Sequence, residues 1–294
     1  MRVLISGASG LVGTRIAELA GPDVEIVRLV RRPAGEGEVQ WDPAAGTLDP
    51  QALDGINAVI HLAGENIGEG RWTAAKKKRI LDSRVNGTRL ISEAIAKSDH
   101  KPALVSASAI GYYGDRGDEE LTEQSTAGKG FLADVCQQWE AATAPAEAAG
   151  ARVVRVRLGI VLSSKGGALA SMLFPFRMGV GGRMGSGQQF WSWISLDDAA
   201  RIFLYAAQHE NVVGPVNAVS ESPIRNIDFT VTLGRILRRP TLFPMPQFMA
   251  SILLGEMSDA LIMSSARVLP TALNNCGYRY QQADLETAIR AALS

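Results

Sequence analysis

Short apolar runs alternate with amphipathic segments through about the first 160 positions of the chain. The apolar runs predict strands at residues 2–6, 25–30, 58–64, 103–109 and 152–162. Helical periodicity between them predicts helices at residues 11–20, 73–97 and 130–149. Nearly continuous apolar runs are typical of parallel strands covered on both faces. The alternation therefore predicts an α/β fold built on a doubly wound parallel sheet.

The pattern changes after residue 163. Glycines crowd residues 166–187, and the stretch 244–294 mixes prolines with amphipathic helical segments. We therefore predict two units. Residues 1–165 form a Rossmann-type nucleotide-binding domain, and residues 166–294 form a smaller, more helical lobe that docks on the sheet and binds substrate.

Charge and composition argue against several classes of function. Thirty basic residues balance thirty acidic ones, so the chain lacks the positive field of a nucleic-acid or anionic-membrane binder. No apolar run approaches the ~20 residues that cross a bilayer, and the two cysteines and three histidines lack metal-ligand spacing. No signal-peptide cleavage site is recognisable. We expect a cytoplasmic protein with a small-molecule substrate and no metal ion, and a homodimer remains open.

The segment "LISGASGLVG" places three glycines directly after the first predicted strand. Gly7 suits a tight turn, Gly10 allows backbone to approach a pyrophosphate, and Gly13 allows the helix to pack on the strand. The helix that follows offers unpaired N–H groups to phosphates. Ser9, Leu11 and Val12 belong to the same predicted cofactor site. The alternative is a glycine turn that only joins strand to helix.

The second predicted strand ends in "RLVRRP", which bears on the choice of coenzyme. A site specific for NAD places a carboxylate about 20 residues beyond the glycines, where it accepts a ribose hydroxyl. This chain has Arg31 and Arg32 there, and two guanidinium groups suit a 2′-phosphate. We therefore predict NADP(H). The alternative is that the arginines only solvate a strand end.

Several motifs together resemble a known superfamily. These are "GASGLVG", "HLAGENI", "SRVNGT", "SASAIGYYG" and "SWISLDDAA". They are similar to the extended short-chain dehydrogenases/reductases, and in particular to an atypical epimerase-like branch often labelled sugar-nucleotide epimerase-like. The tail at about residues 245–291 resembles the C-terminal domain of that branch. The resemblance implies a nicotinamide coenzyme across the carboxyl edge of the sheet.

The resemblance also implies further cofactor contacts. The "HLAG" segment would pass Leu62, Ala63 and Gly64 alongside the coenzyme. Arg84 stands where extended members usually have an asparagine facing the coenzyme, and Arg157 ends a strand at the ligand-binding edge. The alternative for both arginines is a structural salt bridge.

The predicted helix at 130–149 departs from the pattern of this superfamily. Ordinary members carry a tyrosine that acts as general acid/base, and a lysine four residues later that lowers the pKa of the tyrosine. Aligned on Glu140, this chain has Leu132 and Cys136 at those positions. Ser108 matches the serine that steadies the substrate oxygen in the same superfamily.

Two tyrosines follow Ser108 at the end of the same predicted strand. Tyr112 and Tyr113 are alternative proton donors, so we place them with Ser108 in the predicted catalytic set. The other interpretation is that they pack against a pocket. Both interpretations stay open at the level of the sequence.

Two segments are predicted to contact substrate. Glu65 and Asn66 directly follow a strand and should lie near the nicotinamide. Gln188, Gln189 and Trp191 lie where relatives place a substrate-facing segment, although the tryptophan could instead cement the lobe. The leading hypothesis is an NADP(H)-dependent oxidoreductase or epimerase-like enzyme lacking the usual dyad. The alternative is a non-catalytic NADPH sensor.

Overall fold

The computed structural model describes residues 1–246 and 255–294. Its main strands are β1 (Arg2–Ser6), β2 (Glu25–Val30), β3 (Glu38–Asp42), β4 (Thr47–Leu48), β5 (Ala58–His61), β6 (Ala103–Ala109), β7 (Glu120–Leu121), β8 (Val153–Leu158) and β9 (Ile160–Leu162). Those later in the chain are β10 (Phe190–Trp191), β11 (Trp193–Ser195), β12 (Gly214–Ala218), β13 (Ile224–Arg225) and β14 (Arg267–Val268). Strands therefore form within each of the five predicted segments, whereas β3, β4, β7 and the strands after residue 162 were not predicted.

Helices form in the three predicted segments, at residues 11–20, 73–97 and 130–149, and at further positions along the chain. They are α1 (Leu11–Leu19), α2 (Ala74–Lys97), α3 (Phe131–Ala141), α4 (Ala144–Ala148), α5 (Gly167–Arg177), α6 (Leu196–Gln208), α7 (Asn226–Leu237), α8 (Glu256–Ser258), α9 (Thr271–Asn275) and α10 (Leu285–Leu293). The predicted helix at 130–149 is two helices, because the chain turns before Pro145, which occupies the first turn of α4. None of the helices in the described part of the chain has the length and hydropathy that a bilayer crossing requires.

The described strands include one large sheet in the order β12-β8-β6-β5-β1-β2-β3-β4. Its neighbouring strands are parallel, except that β4 runs antiparallel to β3. The order reverses between β1 and β5, since the chain builds outward first on one side of β1 and then on the other. This reversal is the switch point at which open α/β sheets bind ligands, so the predicted fold class is confirmed.

Alternating residues of each strand feed two apolar layers. Val3 and Ile5 pack with α6 residues such as Phe203 on one face of the sheet, whereas Leu4 packs beneath α2 on the other. The period of two explains how a continuous apolar strand serves both layers. Each fully buried aliphatic side chain contributes about 1.5–3 kcal/mol, so these layers hold the sheet edge rigid.

A buried histidine lies within the layer beneath α2. His61 ends β5, and its Nδ1 lies 2.5 Å from the Ser6 hydroxyl oxygen at the end of β1. Burial lowers the pKa of His61 to about 3, so the ring is neutral at pH 7. A Cβ on Gly87 would lie 3.3 Å from the ring, so a larger residue there would have to displace the ring or α2 slightly. The contact fixes the start of the segment after β5.

The chain returns to the main sheet after residue 165, the predicted domain boundary. Helix α6 packs on α1, and β12 pairs in parallel with β8. Residues 196–218 therefore belong with the Rossmann-type unit rather than with the lobe. The lobe has its own apolar cluster, which joins α5, α7 and α10 and includes Phe176, Trp193 and Phe229.

The predicted strand at 152–162 divides at Gly159. Strand β8 stays in the main sheet, and β9 leaves it to pair with β11. A Cβ on Gly159 would lie 2.5 Å from the carbonyl oxygen of Ser192, so another residue would clash with that backbone. Gly159, between β8 and β9, therefore packs directly against Ser192, between β10 and β11.

A buried carboxylate ties the C-terminal segment to the sheet. Asp198, in the first turn of α6, accepts hydrogen bonds from the Ser195 hydroxyl (2.9 Å) and the Tyr278 hydroxyl (3.0 Å). It also accepts bonds from the backbone N–H groups of Gln281 (2.8 Å) and Gln282 (2.9 Å). Its neighbour Asp197 instead forms a partly exposed ion pair with Arg15 on α1. Both aspartates lie in the first turn of α6, where acids also interact favourably with the helix dipole.

We expect Asp198→Ala to lower the free energy of unfolding by about 3 kcal/mol, because it leaves several buried donors without an acceptor. Asp197→Ala is the matched control. It should cost at most about 1 kcal/mol, since a partly exposed ion pair contributes little. Urea unfolding followed by circular dichroism measures both. Equal losses in the two variants would contradict the anchoring role of Asp198.

Candidate functional site

The glycine turn is built by backbone contacts that no side chain would tolerate. Gly7 has φ +72°, and a Cβ there would lie 2.9 Å from the Ala63 backbone nitrogen. A Cβ on Gly13 would lie 2.4 Å from the Gly7 carbonyl oxygen, so α1 packs directly against the turn. Leu62 and Ala63, after β5, are the residues that Gly7 touches. The structure thus brings together the predicted cofactor segments of β1 and β5.

The opening of α1 is free to receive an anion. Gly10 is the N-cap and supplies no side-chain cap. The N–H groups of the first turn, including those of Leu11 and Val12, therefore have no partner within the helix. Ser9 and Gly10 are exposed. This geometry fits the diphosphate of a dinucleotide, which backbone N–H groups and the helix dipole would hold.

The two arginines after β2 have different environments. Arg32 forms a two-pronged ion pair with Glu38, with both N–O distances 2.7 Å. Glu38 therefore competes with any phosphate for Arg32, and hydrogen bonding from Arg32 lowers the pKa of Glu38. Arg31 is exposed, and no acceptor in residues 1–246 or 255–294 binds its guanidinium. Arg31 is therefore the arginine available to a 2′-phosphate.

Arg84, on α2, contacts the segment that follows β5. This strand lies on one side of β1, whereas β2, which leads to Arg31, lies on the other. The Nη1 of Arg84 donates to the carbonyl oxygens of Glu65 (3.0 Å) and Ile80 (3.1 Å). The guanidinium carbon lies 5.1 Å from the ring centre of Trp139 on α3. It would contact a Cβ on Gly64 at 3.3 Å, so the predicted cofactor residues Gly64 and Arg84 are neighbours.

Glu65 and Asn66 make local contacts at the same edge. The Glu65 carboxylate accepts a hydrogen bond from Lys76 (2.8 Å) and one from Arg79 (3.4 Å). The bond from Lys76 lowers the pKa of Glu65. Asn66 is exposed and closes a turn, since its side chain bonds Glu69 and the backbone N–H of Gly68. Lys76 itself is buried.

Ser108, Tyr113 and Arg157 belong to one buried polar network. Arg157 is 3% exposed and donates to both carboxylate oxygens of Glu140, each at 2.8 Å. Ser108 donates to the same carboxylate (2.7 Å). The Tyr113 hydroxyl donates to Asn217 (2.7 Å) and accepts from Arg157 (2.9 Å). Arg157 thus forms a structural salt bridge, which was the alternative interpretation of this residue.

Two of the three predicted catalytic hydroxyls, those of Ser108 and Tyr113, are therefore engaged in hydrogen bonds within the protein. Burial raises the pKa of Tyr113 to about 12, so its proton is held at pH 7. Ser108 is 1% exposed. The side chain of Tyr112 is partly exposed, and its ring stacks 3.5 Å from the guanidinium carbon of Arg157. Tyr112 lines a cleft of about 460 Å³ with Glu123, Thr126 and Arg155, and the lining residues do not include the glycine turn.

Helix α3 presents the residues that replace the dyad to the end of β6. Cβ of Leu132 and Sγ of Cys136 would lie 3.3 Å and 3.7 Å from a Cβ on Gly111, and Glu140 continues the same face. Leucine has no proton to donate. Burial raises the pKa of the Cys136 thiol to about 12, so it is neutral at pH 7. The face predicted from the alignment is the one that meets β6.

The segment predicted to face substrate divides between surface and core. Gln189 donates to the carbonyl oxygens of Met184 (3.0 Å) and Ile262 (3.2 Å), and the Trp191 indole donates to Ile262 (3.3 Å). Both side chains are buried, so Gln189 and Trp191 hold the lobe together, as the alternative for the tryptophan proposed. Gln188 is exposed.

Three functional contacts escaped the sequence interpretation. Glu38, Lys76 and Glu140 each pair with a predicted site residue. Glu38 opens a strand that was not predicted, and Lys76 is buried in the first turn of α2. Thr73 is the N-cap of α2, and its hydroxyl accepts a hydrogen bond from the Lys76 N–H. This N-cap is the sequence signal that places Lys76 in the first turn of the helix.

Comparison with known proteins agrees with this geometry. Residues 3–219 match the model of the NAD dependent epimerase/dehydratase family, and residues 245–292 match a domain of unknown function, DUF1731. The epimerase family protein Mb2239 of Mycobacterium bovis is 41% identical over 98% of this chain and 96% of its own length.

Two solved structures are also similar across the chain. The crystal structure of the human epimerase family protein SDR39U1 with NADPH has a TM-score of 0.89 and 33% identity, and covers 99% of both chains. The nucleoside-diphosphate sugar epimerase of Corynebacterium glutamicum has a TM-score of 0.84 and 37% identity, over all of this chain and 58% of that one. The glycine turn, the strand order and these matches together establish that the chain belongs to the NAD dependent epimerase/dehydratase family.

Proposed function

We propose that this protein is an NADP(H)-dependent oxidoreductase or epimerase-like enzyme that acts on a small molecule without the usual tyrosine and lysine. The observation that carries the proposal is the glycine turn at the switch point, flanked by an arginine without an acid partner. The turn offers N–H groups for a diphosphate, and Arg31 offers a guanidinium for a further phosphate. The human relative, crystallised with NADPH, supports the same coenzyme.

The residues present fit this coenzyme along the whole edge. Arg31 would hold the 2′-phosphate beyond β2, the opening of α1 would hold the diphosphate, and Leu62, Ala63 and Gly64 would line its path past β5. When bound, the coenzyme supplies hydride transfer to or from a substrate carbon. With Leu132 and Cys136 in place of the dyad, and with Tyr113 and Ser108 engaged elsewhere, we propose that solvent water exchanges the proton.

A non-catalytic NADPH sensor is the second candidate. The observation that favours it is the engagement of Ser108 and Tyr113 within the Glu140–Arg157 network. Wild-type protein incubated with NADPH and a panel of aldehydes, ketones and sugar nucleotides separates the two. Oxidation of NADPH above the rate without protein supports the enzyme, whereas tight binding without any oxidation supports the sensor.

Arg31→Ala should weaken NADPH binding by about ten- to a hundredfold, because a charge-assisted pair with the 2′-phosphate is lost. Binding of NADH, which has no such phosphate, should stay unchanged. Isothermal titration calorimetry with both coenzymes measures the two affinities. Equal effects on NADPH and NADH would reject the assignment of Arg31.

The neighbouring arginine provides a matched comparison. Arg32→Ala should weaken NADPH binding less than Arg31→Ala, since the Arg32 guanidinium is already paired with Glu38. Glu38→Gln should strengthen NADPH binding, because it removes a negative charge near the 2′-phosphate and releases Arg32. A stronger effect at Arg32 than at Arg31 would show that the ion pair breaks when the coenzyme binds.

Tyr112→Phe and Tyr113→Phe should leave NADPH affinity and any turnover unchanged, since neither hydroxyl is proposed to reach the coenzyme. Tyr113→Phe should nevertheless lower the free energy of unfolding by about 1–3 kcal/mol, because Asn217 and Arg157 lose a buried partner. Thermal unfolding and coenzyme titration test both variants. Slower turnover in Tyr112→Phe would identify that tyrosine as a proton donor.

A further inference from the structure

Only one nitrogen of the Arg84 guanidinium donates hydrogen bonds to the described part of the protein. Its Nη1 makes both of its hydrogen bonds, and no acceptor in the described part of the chain reaches Nε or Nη2. It forms no salt bridge there: the Glu65 carboxylate is near enough for its charge to act on Arg84, but its hydrogen bonds come from Lys76 and Arg79. Charged side chains with little exposure are normally paired. An Arg84 cation without a salt bridge in the described part of the chain is therefore a feature that the fold alone does not explain.

Arg84 lies beside α3, the helix on which the lysine of the superfamily pattern is missing. It touches Gly64 at the end of β5 and lies over Trp139 of α3. Cys136 lies close enough that the Arg84 charge acts on its thiol. Cys136 is the residue at the position of the missing lysine. The Arg84 cation, on α2, thus lies next to the part of α3 where the lysine is missing.

The sheet order indicates which end of the coenzyme Arg84 would face. Arg31 follows β2, on one side of β1, and Arg84 contacts the segment that follows β5, on the other side. A dinucleotide with its extra phosphate at Arg31 and its diphosphate at the glycine turn must continue toward β5. The nicotinamide half therefore extends toward Arg84.

We propose that Arg84 replaces the missing lysine as the cation of this site and makes it prefer NADPH to NADP⁺. The inference rests on the proposed coenzyme binding. The nicotinamide ring carries a positive charge in NADP⁺ and none in NADPH, so a nearby cation repels only the oxidised form. In a partly buried site this repulsion corresponds to a preference on the order of tenfold or more. The same charge would attract the oxygen of a bound carbonyl substrate.

The test compares the affinities of one variant for the two redox forms. Arg84→Gln removes the charge and keeps a side chain that can donate hydrogen bonds. We expect the ratio Kd(NADP⁺)/Kd(NADPH), measured by calorimetry on the full-length protein, to fall on the order of tenfold. Arg84→Lys keeps the charge and should largely keep the ratio. A purely structural Arg84 would instead lower both affinities equally.

Arg89→Gln is the matched control, because Arg89 is exposed on the same helix, and its ratio should equal that of the wild type. An unchanged ratio in Arg84→Gln, or a ratio in Arg84→Lys that falls equally far, overturns the proposal. Should Arg84→Gln fail to fold, the wild type decides, since NADP⁺ binding as tight as NADPH binding also overturns it. A wild type that binds neither coenzyme refutes the proposed function itself.

Discussion

The buried ion pair between Glu140 and Arg157 holds together the part of the structure that departs most from a conventional dehydrogenase. The Glu140 carboxylate on α3 meets the Arg157 guanidinium on β8, where removing both groups from water costs several kcal/mol per ion unless their oxygens and N–H groups find partners. Ser108 and Tyr113 complete that set. The pair therefore fixes α3 against β6 and β8. It also engages Ser108, the serine of the superfamily pattern, and Tyr113, an alternative proton donor, while Leu132 and Cys136 stand at the positions of the usual tyrosine and lysine.

The sequence predicts the sheet well because parallel strands leave a strong signal. Continuous apolar runs such as "RVLIS" and "ALVSASA" give strands whose bounds match the prediction at 2–6 and 103–109. Strand β3 has a weaker signal, since "EVQWD" lies at one side of the sheet and buries only Trp41. The return of the chain through β12 was missed because a domain boundary was inferred from a change in composition, and composition does not reveal which strand a segment pairs with.

The candidate site was predicted in part. Glycine turns can be read from sequence, because Gly7 adopts a positive φ and Gly13 is required by backbone contacts close to it along the chain. Partners distant in sequence cannot be read in this way. Arg157 and Glu140 lie on different elements, and so do Arg84 and the end of β5, so nothing in the local pattern distinguishes a bound arginine from an available one. The structure separates Arg31 from Arg32 and Arg84 from Arg157 for this reason.

The anchoring of Asp198 has a consequence for synthesis of the protein. Helix α6 packs on the central sheet, yet three of the donors to the Asp198 carboxylate come from residues 278–282. A ribosome delivers those residues some 80 positions after Asp198. Until they emerge, the nascent sheet holds an acid that is not fully satisfied, so its final packing waits for nearly the whole chain. Premature termination before residue 278 would then yield an incompletely folded product that chaperones bind and proteases degrade.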